Sequence, residues 1–328
     1  MSSISSELSS RISTLSFVCA CMVVLIHVPI PSTVGSWGWY LSSTFSYGMC
    51  LISVPFFFMV SGFFIGRHIG EEKWYRSALK KRLVSLLIPY LIFNTMYWGL
   101  THLCVNQWTL HSVLCGIIGS PLEFPSLGPT WYIRSLLVYV LITPLLPISY
   151  RWWCVTYFIA IVFLCFSDLY PEQNVVRFLK HTCSLQNLFY YHMGLVMGKK
   201  GFCGLTRRVG IVAGTFSLLI LILKVYADSR GYFIPTVWRL LFCPVTLIAF
   251  WKLFPKVKIN DYIAKFSFPI FMTHYFMILF LQRLGIDNNS VFGFVFDYAF
   301  MLCGSVLLCV LIRTMFPRKV ANIIFGGR

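Results

Sequence analysis

The sequence predicts an all-α integral membrane protein, a single bundle of about ten transmembrane helices with both termini cytoplasmic. Three observations carry that expectation. Hydrophobic residues make up 58% of the 328 residues and charged residues only 11%, whereas a soluble domain is about half apolar and a quarter charged. The apolar residues gather in runs of the length needed to cross about 30 Å of hydrocarbon at about 1.5 Å per residue. The basic residues, which give a formal net charge of +17, sit in short clusters between those runs, as the positive-inside rule requires. The charge is therefore read as topology, with membrane lipids rather than nucleic acid as its partners.

Taken in order, the runs lie near 14–30, 43–66, 83–103, 131–148, 152–167, 185–198, 209–227, 234–253, 266–283 and 291–315. The first, LSFVCACMVVLIHVPI from Leu15 to Ile30, contains Pro29 near its end and is followed by Pro31, Trp37 and Trp39 and by no small-residue cleavage site, so it is expected to stay as a helix rather than act as a signal peptide. The sixth is short, and residues 109–119 read as an amphipathic, interfacial piece. Most of the twelve cysteines, Cys19, Cys21, Cys50, Cys154, Cys165, Cys243, Cys303 and Cys309 among them, fall inside apolar stretches without metal-ligand spacing. They read as small buried hydrophobes, and no metal is implied.

With the amino terminus inside, most of the 27 basic residues fall on the inner side, in clusters such as Lys80, Lys81 and Arg82, Lys199 and Lys200, and Lys256 and Lys258. The outer loops then hold Trp37, Trp39, Tyr40, Trp108, Glu123, Asp168, Tyr170, Glu172, Asp228 and Asp287. Two readings stand for them: an aromatic belt with ordinary polar loops, or a sugar-binding rim in which rings stack on pyranose faces and carboxylates accept hydroxyl hydrogen bonds.

Polar groups at membrane depth are the candidates for chemistry. His27 lies just before Pro29, where the first helix must end; it is either an interfacial histidine or a functional one. His274 falls well inside the ninth run and needs a partner across the bundle or lines a path. Asp297 and Arg239 are further intramembrane charges that could pair, and His192 reads as structural. No Gly-rich phosphate loop is present.

Several phrases converge. Helix one ends in VVLIH; VPFFFMVSGFFI stands at 54–65, ALKKRLVSLLIPYLIFN at 78–94, PTWYIRSLLVYVLITPLL at 129–146, FYYHMGLVMGKK at 189–200 and FSFPIFMTHYFMI at 266–278. In this order and spacing the chain resembles the acyltransferase-3 family of bacterial inner-membrane enzymes over nearly its whole length. The resemblance implies acyl-CoA, commonly acetyl-CoA, as cytoplasmic donor and a saccharide or lipid-linked saccharide as acceptor. It also implies His27 as catalytic base, since imidazole is the side chain whose unperturbed pKa lies nearest neutrality.

The same resemblance assigns Lys80, Lys81 and Arg82 to the CoA phosphates, against the alternative of a cluster that binds lipid head groups. It places the family's Ser-Gly pair at Ser61 and Gly62, where close helix packing competes with room for the acyl chain. Trp131 and Arg134 open the fourth run, where the arginine either braces the acceptor or snorkels. Two family arginines are missing. Ser16 stands eleven residues before His27, on the same helix face and about 16 Å away; Ser85 stands where the second arginine of an Arg-x-x-Arg pattern follows Arg82. Arg11 lies about 160° around the helix from His27. Two other readings therefore stay open: a proton-coupled transporter, against which no inverted repeat is visible, and a family fold that has lost catalysis.

Overall fold

The structure, a computed structural model, describes residues 5–102, 109–201, 206–232, 236–285 and 289–327. Trp108, Asp287 and Arg328 lie outside the described residues. The α-helices are, in chain order, α1 (Ser6–Ile26), α2 (Trp37–Leu41), α3 (Ser53–Gly66), α4 (Trp74–Arg82), α5 (Ile88–His102), α6 (Leu110–Ile118), α7 (Trp131–Ile142) and α8 (Tyr150–Leu169). There follow α9 (Asn174–His181), α10 (Leu188–Lys200), α11 (Arg207–Ser229), α12 (Trp238–Leu253), α13 (Asp261–Ala264), α14 (Ser267–Leu284), α15 (Val291–Met315) and α16 (Arg318–Ile324). Five-residue π-helical segments occupy Ser42–Ser46 and Leu83–Leu87. No strand occurs among the described residues.

Side-chain caps set several helix starts, as the orphan N–H groups of a first turn require. Ser5 accepts from the Leu8 N–H, Ser149 from Trp152 and Thr206 from Val209. Thr109 and Ser112 form a reciprocal capping box at the start of α6.

Six of the ten expected runs form helical stretches long and apolar enough to cross a membrane: Ser6–Ile26, Trp37–Gly66, Trp74–His102, Tyr150–Leu169, Arg207–Ser229 and Val291–Met315. Length and composition support those six spans among the described residues; the other four runs also fold as helices, α7, α10, α12 and α14, of 12, 13, 16 and 18 residues. The run at 131–148 stops as an α-helix at Ile142 because Pro144 follows. The run at 185–198 gives 13 helical residues closed by Gly201 at φ +90°, and that at 234–253 gives 16 residues with Pro244 inside. The run at 266–283 becomes α14, an 18-residue helix that matches the expected bounds. At about 1.5 Å per residue, 13 to 16 residues reach about 20–24 Å, short of the hydrocarbon core.

The cysteines also depart from expectation. Cys19, Cys50, Cys243 and Cys309 are buried, but Cys154, Cys165 and Cys303 lie exposed on helix faces, and all ten described cysteines are free thiols. A lipid-facing surface imposes no penalty on an apolar thiol.

The helices divide into two compact units, residues 1–57 with 202–309 and residues 58–201 with 310–328. In the first, α1 packs on α14 and α11 on α12. Gly210, Ala213, Ser217 and Leu221 supply the buried stripe of α11, and Ser217 Oγ meets Thr246 Oγ1 at 2.6 Å. The Arg11 guanidinium donates to the Trp251 and Phe254 carbonyls and lies 5.3 Å from the Trp251 ring centre. It thus places a cation at the C-terminal end of α12, where carbonyls lack partners.

In the second unit the close approach is between α3 and α10. A Cβ on Gly62 would meet the Tyr191 carbonyl, one on Gly66 the Leu195 carbonyl, and ones on Gly194 and Gly198 the carbonyls of Met59 and Phe63. Two glycines four residues apart on each helix therefore let the backbones touch. Asn94, fully buried on α5, satisfies both ends of its amide: Nδ2 donates to the Tyr90 carbonyl and Thr130 Oγ1, and Oδ1 accepts from the Leu127 N–H. The C-terminal α16 returns to α5, burying Phe325 against Phe93.

Candidate active site

In the first unit, α1 ends one residue before His27, and the His27 N–H turns back to the Val24 carbonyl at 3.1 Å. The side chain is half-buried. Its ring centre lies 5.2 Å from that of His274 and 5.4 Å from that of Tyr275, which meets it edge-on. His27 makes no side-chain hydrogen bond to any described residue.

His274 is fully buried on α14. Its Nδ1 lies 3.1 Å from the Ile270 carbonyl one turn earlier. A carbonyl can only accept, so Nδ1 donates to it, and the other ring nitrogen is Nε2. That nitrogen is buried with no hydrogen-bond partner among the described residues. The sequence reading offered a cross-bundle hydrogen bond or a path-lining role for His274; the bond it makes is to its own helix, and its neighbour is His27. Tyr275 was not singled out from sequence, although it follows His274 directly in MTHYF. Among the described residues no ion pair joins Asp297 to Arg239.

Ser16, where the family's arginine would stand, is half-buried on α1. Arg11 is committed to the α12 carbonyls described above.

The other sequence-selected residues belong to the second unit. Ser61 Oγ lies 3.2 Å from Tyr132 Oη, and Gly62 is a contact point with α10. Lys80 and Lys81 are exposed and Arg82 half-buried at the end of α4, and none of the three side chains forms a hydrogen bond or ion pair with a described residue. The π segment that follows contains Ser85, whose carbonyl a Cβ on Gly326 would strike.

Trp131 opens α7 between Phe58 and Phe124, at centroid distances of 6.2 and 6.3 Å. Arg134, one turn on, donates to the carbonyls of Ser120 (2.9 Å), Glu123 (2.6 Å) and His181 (2.7 Å). It clasps the segment after α6 to the end of α9. Gly119 at φ +87° fits this clasp, because a Cβ there would lie 2.5 Å from Arg134 Nη1. Burial, and then the charges of Lys180, Arg134 and Arg177, push His181 below the ordinary imidazole value. His192 is bonded on both sides, with Nε2 2.9 Å from the Pro147 carbonyl and Nδ1 3.2 Å from Thr156 Oγ1.

A family model described as an acyltransferase domain matches residues 12–314, nearly the whole chain. Neither a curated protein nor a solved structure shows a significant match.

Proposed function

Because the chain belongs to the acyltransferase-3 family, we propose that it moves an acyl group, acetyl by family default, from cytoplasmic acyl-CoA to a hydroxyl of a cell-surface glycan or glycolipid precursor in a bacterial inner membrane. The observation that supports this most directly is the imidazole of His27, unbonded to any described residue and flanked by His274 and Tyr275. A general base must keep a lone pair free for the acceptor, and a side chain committed to protein hydrogen bonds would not.

The reaction then runs as follows. The acceptor hydroxyl gives its proton to His27 as its oxygen forms a bond to the thioester carbonyl carbon. The carbon–sulfur bond breaks as the tetrahedral adduct collapses, and the proton passes from the imidazolium to the departing thiolate. Tyr275 and His274 pack against the His27 ring and set its plane by contact.

The donor is held, on this proposal, through its phosphates by Lys80, Lys81 and Arg82, whose cationic groups have no carboxylate partner among the described residues. Both termini are cytoplasmic in this reading, in accord with the Lys/Arg bias of the loops. Membranes containing the protein, supplied with acetyl-CoA labelled in its acyl carbon and with glycan precursors, should transfer label to glycan hydroxyls. Mass spectrometry of surface glycans made with and without the protein should differ by the acyl mass. Absence of transfer to any glycan would instead favour the transporter or the inactive fold.

A further inference from the structure

The first unit contains a cavity of about 360 Å³, within the range of about 300–1,000 Å³ usual for small-molecule sites. Its wall begins at Ile30, three residues beyond His27, so the two backbones are at most about 11 Å apart. The rings of Trp39, Tyr47 and Tyr232 line it, together with Ser42, Ser43, Lys224 and Asp228.

The polar groups divide into a closed set and an open one. Lys224 and Asp228, one turn apart on α11, pair at 2.6 Å with side chains 10% and 29% exposed. Lys224 Nζ also donates to Ser43 Oγ at 3.0 Å and reaches the Ser43 carbonyl at 3.4 Å, while Ser43 Oγ donates to Asp228 Oδ2 at 3.2 Å. The ammonium thus has three acceptors for its three protons. Asp228 Oδ1, by contrast, has no partner among the described residues. Nor has Ser42 Oγ, which is buried at 2% exposure. An unmet buried hydroxyl is disfavoured, and it sits in the π segment Ser42–Ser46, a type of irregularity frequent at functional sites.

We propose that this cavity binds a neutral hydroxylated ring, a pyranose unit of the acceptor. The Lys224 charge is cancelled by Asp228, so nothing there rewards an anionic sugar. Asp228 Oδ1, on a side chain 29% exposed, is open to accept from a ligand hydroxyl, and Ser42, whose Oγ has no described partner, lines the same cavity. The aromatic side chains of Trp39, Tyr47 and Tyr232 on the wall suit the apolar C–H side of a sugar. The inference rests on the acyltransferase reading for the ligand's role as acceptor, but the binding site itself does not need the reaction.

The test uses the full chain in nanodiscs of phosphatidylethanolamine and phosphatidylglycerol, free of glycolipid and of sugar-based detergent. Saturation-transfer NMR is recorded with a panel of neutral methyl hexopyranosides, with glucuronate as the anionic comparison and with a neutral glycolipid added to separate discs. At least one neutral pyranoside should receive saturation, and more strongly than glucuronate. Competition by the glycolipid would identify a lipid-linked ring as the form bound; its failure to compete would identify the free glycan. Ser42→Ala should weaken binding by about threefold to tenfold, the range for one neutral hydrogen bond, while leaving the melting temperature unchanged or raised. Tyr232→Ala, at an exposed wall position, should weaken it without affecting folding. Binding of no neutral pyranoside, a preference for glucuronate, or affinity unchanged in both variants would overturn the proposal. Acyl transfer by wild type with no pyranoside binding would remove this site and leave the enzyme; pyranoside binding without acyl transfer from any donor would remove the enzyme and leave the site.

Discussion

The rings of His27 and His274 lie 5.2 Å apart at a 37° tilt, although 247 residues separate them in the chain. The contact arises because α1 and α14 pack within one unit, and it brings the only polar side chain at the end of helix one against a buried imidazole whose Nδ1 is already committed to the Ile270 carbonyl.

That relationship makes the first prediction a comparison. His27→Ala should lower acyl transfer by roughly a hundredfold or more, the contribution usual for a general base, with membrane insertion and acyl-CoA binding near wild type. His274→Phe, which keeps a ring against His27, should cost less. Full acylation of the glycan by His27→Ala, measured with labelled acetyl-CoA, would exclude His27 as the base.

At the donor side, Arg82→Gln should weaken acyl-CoA binding about tenfold or more, since a hydrogen bond to a charged group is worth about 1.5–3 kcal/mol. Arg318→Gln, at the start of α16, is the comparison. Equal and small losses in equilibrium binding would assign the basic cluster to lipid head groups.

The α3–α10 contact predicts a stability effect independent of function. Gly194→Ala should destabilise the protein by about 1–3 kcal/mol, the usual cost of overpacking, because its methyl would strike the Met59 carbonyl, which cannot rotate aside. Gly99→Ala on α5, where a Cβ meets nothing within 4 Å, should be neutral or stabilising. Thermal unfolding of the two variants side by side decides the matter; similar melting temperatures would mean that the glycine pairs are not tightly packed.

Topology is tested with reporter fusions. Fusions after Lys200 and Lys258 should report cytoplasm and one at Pro171 should report the opposite face, as the basic clusters require. Two reversals among the three would refute the orientation.

What the sequence determined by itself is whatever depends on composition and local order. Apolar run length marked all six long spans, because a residue in hydrocarbon must be apolar wherever the neighbouring helices lie. The six motif phrases carried the family, since their order survives without coordinates. His27 stood out because a lone imidazole at the end of an apolar run is visible in one dimension.

Only the tertiary structure decided which long-range pairs form and which helices stop short. The runs at 131–148 and 185–198 read as longer than their helices because hydropathy is nearly blind to the backbone N–H that Pro144 lacks and to the left-handed turn at Gly201. The contacts of the Arg134 guanidinium with the carbonyls of Ser120, Glu123 and His181 could not be read from sequence, because main-chain acceptors carry no residue-specific signal. The burial of Asn94 likewise depends on partners 33 to 36 residues away. The Lys224–Asp228 pair had its i, i+4 spacing in plain view, but Ser43, which closes the set, lies 181 residues earlier than Lys224. Sequence supplies the groups and their helical phase; which of them meet is fixed by packing between helices distant in the chain.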